Sequence, residues 1–586
     1  MRHVLGFGMA ATLSAASLFG ASSDVADAAM RGNREAIRAL LQRKADVNAP
    51  QIDGTTALDW AVRADDLDVA DMLLKAGANP SLANNDGATP MLLAAINGNA
   101  VMLERLIQAG ANPNAPVTSE GNTPLMVASR TGKIDAVRVL LDHGANINAK
   151  EKWGDTTALM WAVAEKHSDI TKLLVERGAD VNAKTKFVPN TTGRGFEGAS
   201  PVSASANLSP QEQSGGLLTP LMFAAREGDL ESARALVAAG ADVNVIDGDG
   251  KNALGLAIFS GNYDLASFLI DSHANVNQPD AQRFTPLYWA VDRRNMETAP
   301  NFPWMVTKDP LPLVKKLLDA GATPNFLINN TPRARMREGS PRITYATVIH
   351  RAAFAGDLGL VKLLLQYGAD PHVLSSERET TLMAACGNGF ISGYHRTRPP
   401  AERLEVIKLL LQLGEDINAA DNYGITPLMM AANFGDVPIV KYLIDRGADL
   451  GAHDLGTKND GAFGASTEPL MPIDYAIGIG TFRPNNAILP HDDVAKLMQD
   501  EMQKRGIKHS TSECTLRGFT CSIANVQPFA ATPAEIKHMR KVQLGSQVEG
   551  VTAGLTVKED EDQDQGKSKD KGKSKDKGQD QGKDNK

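Results

Sequence analysis

Gly121-Asn-Thr-Pro-Leu-Met-Val-Ala-Ser-Arg-Thr-Gly-Lys-Ile-Asp-Ala-Val-Arg-Val-Leu-Leu-Asp-His-Gly-Ala-Asn-Ile-Asn148 decides the fold, because each residue type in it has a local structural reason. Thr123 is placed to cap a helix and Pro124 to open it, since a first-turn proline gives up only an N–H that has no intrahelical partner. Leu125 and Ala128 lie one turn apart on a short first helix, and the small Ala lets a neighbouring layer approach closely. Gly132 breaks that helix. Val137, Leu140 and Leu141 then supply the i, i+3, i+4 stripe of a second helix. Gly144 ends it in a left-handed cap, and Ala-Asn-Ile-Asn leads into a polar hairpin.

Laid on itself at a period near 33 residues, the chain repeats this frame. It recurs from Gly54 (TTALDWAV…LLKAGANP), Gly87 (ATPMLLAA…LIQAGANP), Gly154 (DTTALMWAV…LLVERGADVN), Leu217 (LTPLMFAA…LVAAGADVN) and Gly250 (KNALGLAI…LIDSHANVN). It continues from Arg283 (FTPLYWAV…LLDAGATPN), Thr344 (YATVIHRAA…LLLQYGADP), Glu379 (TTLMAACG…LLLQLGEDIN) and Gly424 (ITPLMMAA…LIDRGADLG). A partial unit starts at Asp24 and a degenerate one closes the array at Pro472. Such a unit cannot bury its own apolar face, so about twelve of them must stack into a curved all-α rod on the order of 100 Å long.

These residues resemble the ankyrin-repeat family, whose T-P-L-x-x-A-A-x-x-G…L-L-x-x-G-A-D/N-x-N pattern runs from roughly Asp24 to Ile507. The resemblance implies an all-α ankyrin solenoid of helix-turn-helix units with hairpin loops, and an extended concave surface that holds a protein partner. One departure is consistent. The family usually places His after the Leu to tie the hairpin, whereas Met126, Met160, Met222, Met383 and Met429 stand there and only His350 keeps the imidazole. Looser hairpins are expected. The Met-bearing form is also similar to exported ankyrin proteins of soil bacteria.

The chain's 586 residues are 42 % hydrophobic and 22 % charged with a net charge of −8, a poor balance for a nucleic-acid binder, which needs a basic face. Met1-Arg2-His3 followed by the apolar and small run Val4 to Ala21 reads as a signal peptide over residues 1–22, cut near Ala21 to Ser23. The alternative is an uncleaved anchor. Nothing later is long and apolar enough to span a bilayer, so export to the periplasm or the outside is expected. The array is assigned to 24–509, a C-terminal extension to 510–557 with a lone helix over Pro533 to Lys541, and a low-complexity disordered tail to 558–586. Cys514 and Cys521 are close enough in sequence to close a small disulfide loop in an oxidising compartment, while Cys386 reads as a buried thiol.

Family resemblance implies that contacts come from the hairpin tips and the exposed side of the first helices. The residues just before the helix-breaking Gly fall there: Arg63, Asn97, Arg130, Glu165, Arg226, Glu227, Phe259, Arg293, Phe354, Asn388 and Phe434. Arg and aromatic side chains most often carry binding energy, so the three Phe, taken as exposed, and the Arg residues are the candidates; the alternative is a solvated face. Trp60, Trp161 and Trp289 read as core, whereas Trp153 in a hairpin and Trp304 in an insertion read as contacts. Hairpin-side insertions are expected at 187–216, 326–342 and 451–468. Others interrupt the turn between helices at 295–310, 390–403 and 481–491, in alternate repeats about 20 Å apart. Trp304, Tyr394, His395, Arg396 and Phe482 there suggest a second, composite site along one edge; the alternative is that these loops pack on neighbouring repeats.

Sequence motifs for chemistry are missing: no H-E-x-x-H, G-x-S-x-G, Walker loop or haem motif occurs. Gly193-Arg-Gly195-Phe-Glu-Gly198 lacks the strand and helix a dinucleotide loop needs, and Asp247-Gly-Asp249-Gly250 lacks the later acidic ligand of a calcium loop. The expectation is a monomeric binding scaffold with no cofactor, no metal and no catalytic residues. A glycan- or host-surface-binding module, and an enzyme with an unrecognised site, remain as alternatives.

Overall fold

A computed structural model describes residues 23–187, 215–281, 283–295, 308–328, 347–375, 378–387, 398–455, 469–477 and 491–509. Within them lie twenty-four helices and no strand. They fall into twelve consecutive pairs, from Asp24–Met30 with Arg34–Gln42 to Pro472–Ala476 with Asp492–Arg505. None of these helices is long and apolar enough to cross a membrane. The expected leader, the residues beyond 509 with Cys514 and Cys521, and most of each expected insertion lie outside the described residues.

Each pair is built as its sequence dictates. In helix Pro124–Arg130 the Thr123 hydroxyl accepts the Met126 N–H at 3.4 Å and Pro124 takes the first turn. Leu125, Met126, Ala128 and Ser129 are buried, because this helix is sandwiched between the first helices of the neighbouring units. Helix Ile134–Asp142 buries only one face, through Ala136, Val137 and Leu140. Leu73, Leu106, Leu140 and Leu174 form a column with no exposed surface that continues to Leu443. Each contributes about 2–3 kcal/mol by leaving water, and none would be buried in an isolated unit.

The methionines that replace the family's His keep part of its bonding. The Thr123 N–H points to the Met126 sulfur at 3.4 Å, and the Thr219–Met222, Thr380–Met383 and Thr426–Met429 pairs repeat this. Sulfur is a weak acceptor, so each contact is a weaker tie than an imidazole nitrogen makes. His350 does more: its Nδ1 meets the Thr347 hydroxyl at 3.2 Å and its Nε2 lies 3.5 Å from the Thr381 hydroxyl of the next unit.

A ladder of side-chain amides locks unit to unit on the hairpin side. Asn114 donates to the Gly144 carbonyl at 2.9 Å and accepts the Asn146 N–H at 2.6 Å, and Asn48, Asn244 and Asn418 do the same for their neighbours. The ladder crosses the insertions. Asn182 reaches Gly240 and Asp242, Asn277 reaches Gly321 and Thr323, and Asn325 reaches Gly368 and Asp370. Inserted segments therefore leave the stack continuous. One rung is replaced: His372 Nδ1 stands 3.4 Å from the buried Glu415 carboxylate, whose pKa burial pushes up.

Candidate interaction surface

Three faces compete for a partner, and the first is the stripe at the ends of the first helices. The structure corrects its expected exposure. Arg293 and Phe354 are buried, at 5 % and 8 % exposure, and Phe259 and Phe434 are half-buried. The reason is that the Arg and aromatic residues meet one another, across repeats at Phe259 and Phe434 and within one helix at Phe354. The Arg293 guanidinium lies 4.8 Å over the Phe259 ring and donates to the Phe259 carbonyl, and Trp289 closes edge-on against Phe259 at 4.9 Å. Arg403 caps Phe434 at 4.0 Å and Arg351 lies 5.8 Å from the Phe354 centroid. Arg226 covers Phe223 at 5.0 Å and pairs with Glu227 at 2.9 Å. The two pairs that join different units, Arg293 with Phe259 and Arg403 with Phe434, stabilise the seam between layers.

The N-terminal part of the stripe stays open. Arg63 and Arg130 are exposed, although Arg63 lies 5.5 Å over Trp60, and Arg130 lies 4.8 Å over Trp161 and 3.7 Å from Glu165. Trp289 is core as expected, with its indole N–H on Asp280 at 3.2 Å. Trp60 and Trp161 are only half-buried, because one ring face of each serves as an Arg platform.

The second face is the row of hairpin tips, and it holds the exposed Trp153, at 59 %. Its loop is rigid. The buried Glu151 carboxylate accepts the Trp153 and Gly154 N–H groups at 2.6 and 2.7 Å and the Thr156 hydroxyl at 2.9 Å. The next tip presents Phe187 at 49 % exposure, and Lys186 N–H donates to the Gly154 carbonyl at 2.8 Å, which joins the two tips. Sequence reasoning missed the basic residues around this pair: Lys150, Lys152, Lys184 and Lys186 are all exposed. A signal was present. Lys150-Glu-Lys152-Trp153 and Lys184-Thr-Lys186-Phe187 repeat the pattern K-x-K-aromatic in adjoining units. At Asp247 the tip carboxylate instead accepts the Asp249 and Lys251 N–H groups at 3.0 and 2.8 Å, so it acts as a hairpin brace.

The third face is the edge where the interrupting insertions leave the stack. Trp304, Tyr394, Arg396 and Phe482 lie outside the described residues, but the stems of all three insertions are placed, and their charges interlock. Arg294, just before the first insertion, and Asp309, near its C-terminal end, pair with each other, and Arg294 and Arg398 converge on Asp357 at 2.7 and 3.1 Å. Arg398 and Arg403 stand in the C-terminal part of the second insertion. Arg403, 1 % exposed, pairs with Asp436 in the next unit. His491 ends the third insertion and meets the Asn433 carbonyl at 3.2 Å. Helix Pro400–Gln412 has an extra N-terminal turn that carries Arg403 over Gly356, where a side chain would collide with it; φ there is +70°, so glycine serves twice. Cys386 is buried next to this cluster, and burial pushes its thiol up to about 12.

Family models for ankyrin repeats match residues 25–74, 76–151, 155–186, 220–300 and 349–454, together more than half of the chain. The chain belongs to the ankyrin-repeat family. This ankyrin-repeat chain is 28 % identical to human inversin over 225 residues, which is 38 % of the chain and 18 % of inversin. It is 26 % identical to the human ankyrin repeat and SOCS box protein 3 over 208 residues, 32 % of the chain and 35 % of that protein. It thus spans a fifth to a third of these relatives. The crystal structure of the human ASB11 ankyrin repeat domain aligns with 43 % of the chain and 98 % of that domain, at 24 % identity and a TM-score of 0.34.

Proposed function

We propose that this protein is an exported scaffold that holds a protein partner on its hairpin tips and the open part of its concave side, with the edge insertions as a second contact. The observation that carries this reading is Trp153, a large apolar side chain held out in water by a loop that its own buried Glu151 makes rigid. An exposed, preorganised aromatic costs little entropy to bind and is the residue type most often at the centre of an interface. Binding rather than turnover is further supported by the ankyrin family and by buried carboxylates engaged in braces and ion pairs. Export is supported by the basic-then-apolar start of the chain.

A photo-crosslinking amino acid placed at Trp153 and at Asn97 should trap a protein, and the same group at Arg138, on the outer face of a second helix, should not. Equal labelling from all three positions, or none from Trp153 and Asn97, would defeat the reading. N-terminal sequencing of the mature chain checks export: a start near Ser23 or Asp24 is expected.

A further inference from the structure

The two K-x-K-aromatic tips form one patch. In each, the middle residue points inward, with Glu151 4 % and Thr185 3 % exposed, and the alternation of an extended chain therefore turns both flanking lysines outward. The two segments are held side by side: Lys186 N–H bonds to Gly154, and the Lys150 ammonium reaches the Lys184 carbonyl at 3.4 Å. None of the four lysines has an ion pair among the described residues. Glu151, the acid between two of them, is turned inward and takes four hydrogen bonds from its own loop. Trp153 and Phe187 occupy equivalent positions on neighbouring tips and stand at the end of each lysine pair.

The patch is local. The chain as a whole carries −8, and the tips before the patch present the exposed Asp53, Asp86 and Glu120; on the other side Asp247 and Asp280 are buried, and the half-buried Asp249 pairs with Lys251 at 3.6 Å. Four unpaired cations therefore adjoin a row of exposed carboxylates on one side. Such a field repels a long polyanion or an anionic membrane on that side and favours a short anionic ligand. The two tips are about 10 Å apart, the layer spacing of packed helices. A backbone at about 3.3 Å per residue crosses that gap in three to four residues.

Resting on the scaffold reading above, we infer that these tips capture a short, extended acidic segment of a partner protein, with Asp or Glu side chains on Lys150, Lys152, Lys184 and Lys186 and one large apolar side chain against Trp153 and Phe187. The lysines set the charge of the ligand and speed its encounter; the two rings hold its apolar residue.

The test uses the full-length protein and a fluorescent decapeptide rich in Asp and Glu with a single Leu or Phe, against a counterpart with Asn and Gln in place of the acids. Anisotropy should show binding of the acidic peptide that weakens about tenfold or more between 50 and 300 mM salt, and little binding of the neutral one. The double variant Lys152→Glu/Lys186→Glu should lose roughly tenfold or more in affinity, and Trp153→Ala about three- to tenfold, while Arg138→Glu on the outer face changes nothing. All these side chains are exposed, and an unchanged melting temperature confirms that each variant is folded. Equal binding by wild type and the lysine variant, or no binding by wild type, overturns the inference. So does tighter binding of heparin or of phosphatidylserine vesicles than of the peptide, which would give the patch to a glycan or a membrane. If Trp153 crosslinks a protein but the peptide does not bind, the scaffold stands and only its acidic ligand is wrong.

Discussion

Arg294 Nε stands 2.7 Å from Asp357 Oδ2, and the two residues are 63 positions apart in the chain. Arg294 ends a first helix just before one insertion, and Asp357 opens the second helix of the following unit, where its other oxygen caps the Leu360 N–H at 3.1 Å. Arg398, emerging from the next insertion, meets the same carboxylate. One aspartate in a unit without an interrupting insertion thus fixes the stems of insertions on both sides. Asp436 occupies the same place one interval further on, between Arg403 and His491.

Asp357→Asn isolates the charge, because Asn caps a helix about as well as Asp. The variant leaves two guanidinium groups, 12 % and 15 % exposed, without their shared anion. Removing one partner of a buried pair costs about 3–5 kcal/mol, far more than the pair contributes over an apolar substitute. Urea unfolding followed by tryptophan fluorescence, to which the buried Trp289 in the Arg294 helix contributes, should show the loss. Arg398→Met should cost less, since Asp357 keeps Arg294. A shift below about 1 kcal/mol for Asp357→Asn would mean that the cluster is a solvated surface network.

The amide ladder makes a second, independent prediction at Asn182. This side chain donates to Gly240 at 3.2 Å and accepts from Asp242 at 2.8 Å, across a seam whose two sides are 58 and 60 residues apart. Elsewhere, as at Asn418, a rung spans only about half that separation and neighbouring units are tied by a short connection. Asn182→Ala should remove about 1–2 kcal/mol from the interface. In a one-dimensional array a weakened seam divides the cooperative unit, so unfolding should split into two phases. Asn418→Ala should lower the midpoint and keep a single transition. Identical behaviour of the two variants would show that the seam at 188–214 is no weaker than the rest.

The fold was legible in the sequence because its causes are local: Thr123 caps, Pro124 opens, Gly144 closes, and the leucine spacing marks the second helix. What escaped was the exposure of the stripe. Whether Phe259 faces solvent depends on Arg293, which lies in the next unit and is brought over the ring only by stacking. The same holds for Phe434, covered by an arginine from an extra helical turn 31 residues earlier. The tip lysines escaped for the opposite reason. Their pattern is local and repeats in KEKW and KTKF, but charge averaged over an acidic chain conceals four cations on two adjoining loops.

His350 supplies the pH prediction. It is fully buried, and burial lowers its pKa from 6.5 to about 4, against a weaker opposing pull from the backbone at Glu379 and Val373. Between those two values the unfolded chain takes up a proton that the folded chain refuses. The neutral imidazole therefore stabilises the fold fully above pH 6.5, and that stability is lost as pH falls toward 4, by about 3 kcal/mol at most. Glu415 and Asp436 act in the other sense, because burial raises their pKa values and the folded state then gains from protonation as the solution becomes acidic. The contribution of the histidine is thus read by difference. His350→Met installs the residue that five other units carry at this position, and its sulfur can still accept the Thr347 N–H. At pH 7.5 the variant should be less stable by about 1 kcal/mol, since the contact with Thr381 goes with the ring. Thermal melts at pH 7.5, 6 and 5 should then bring wild type and variant together and reverse their order at the lowest pH. Parallel curves at all three values would mean that the imidazole reaches water and keeps its ordinary pKa in the fold.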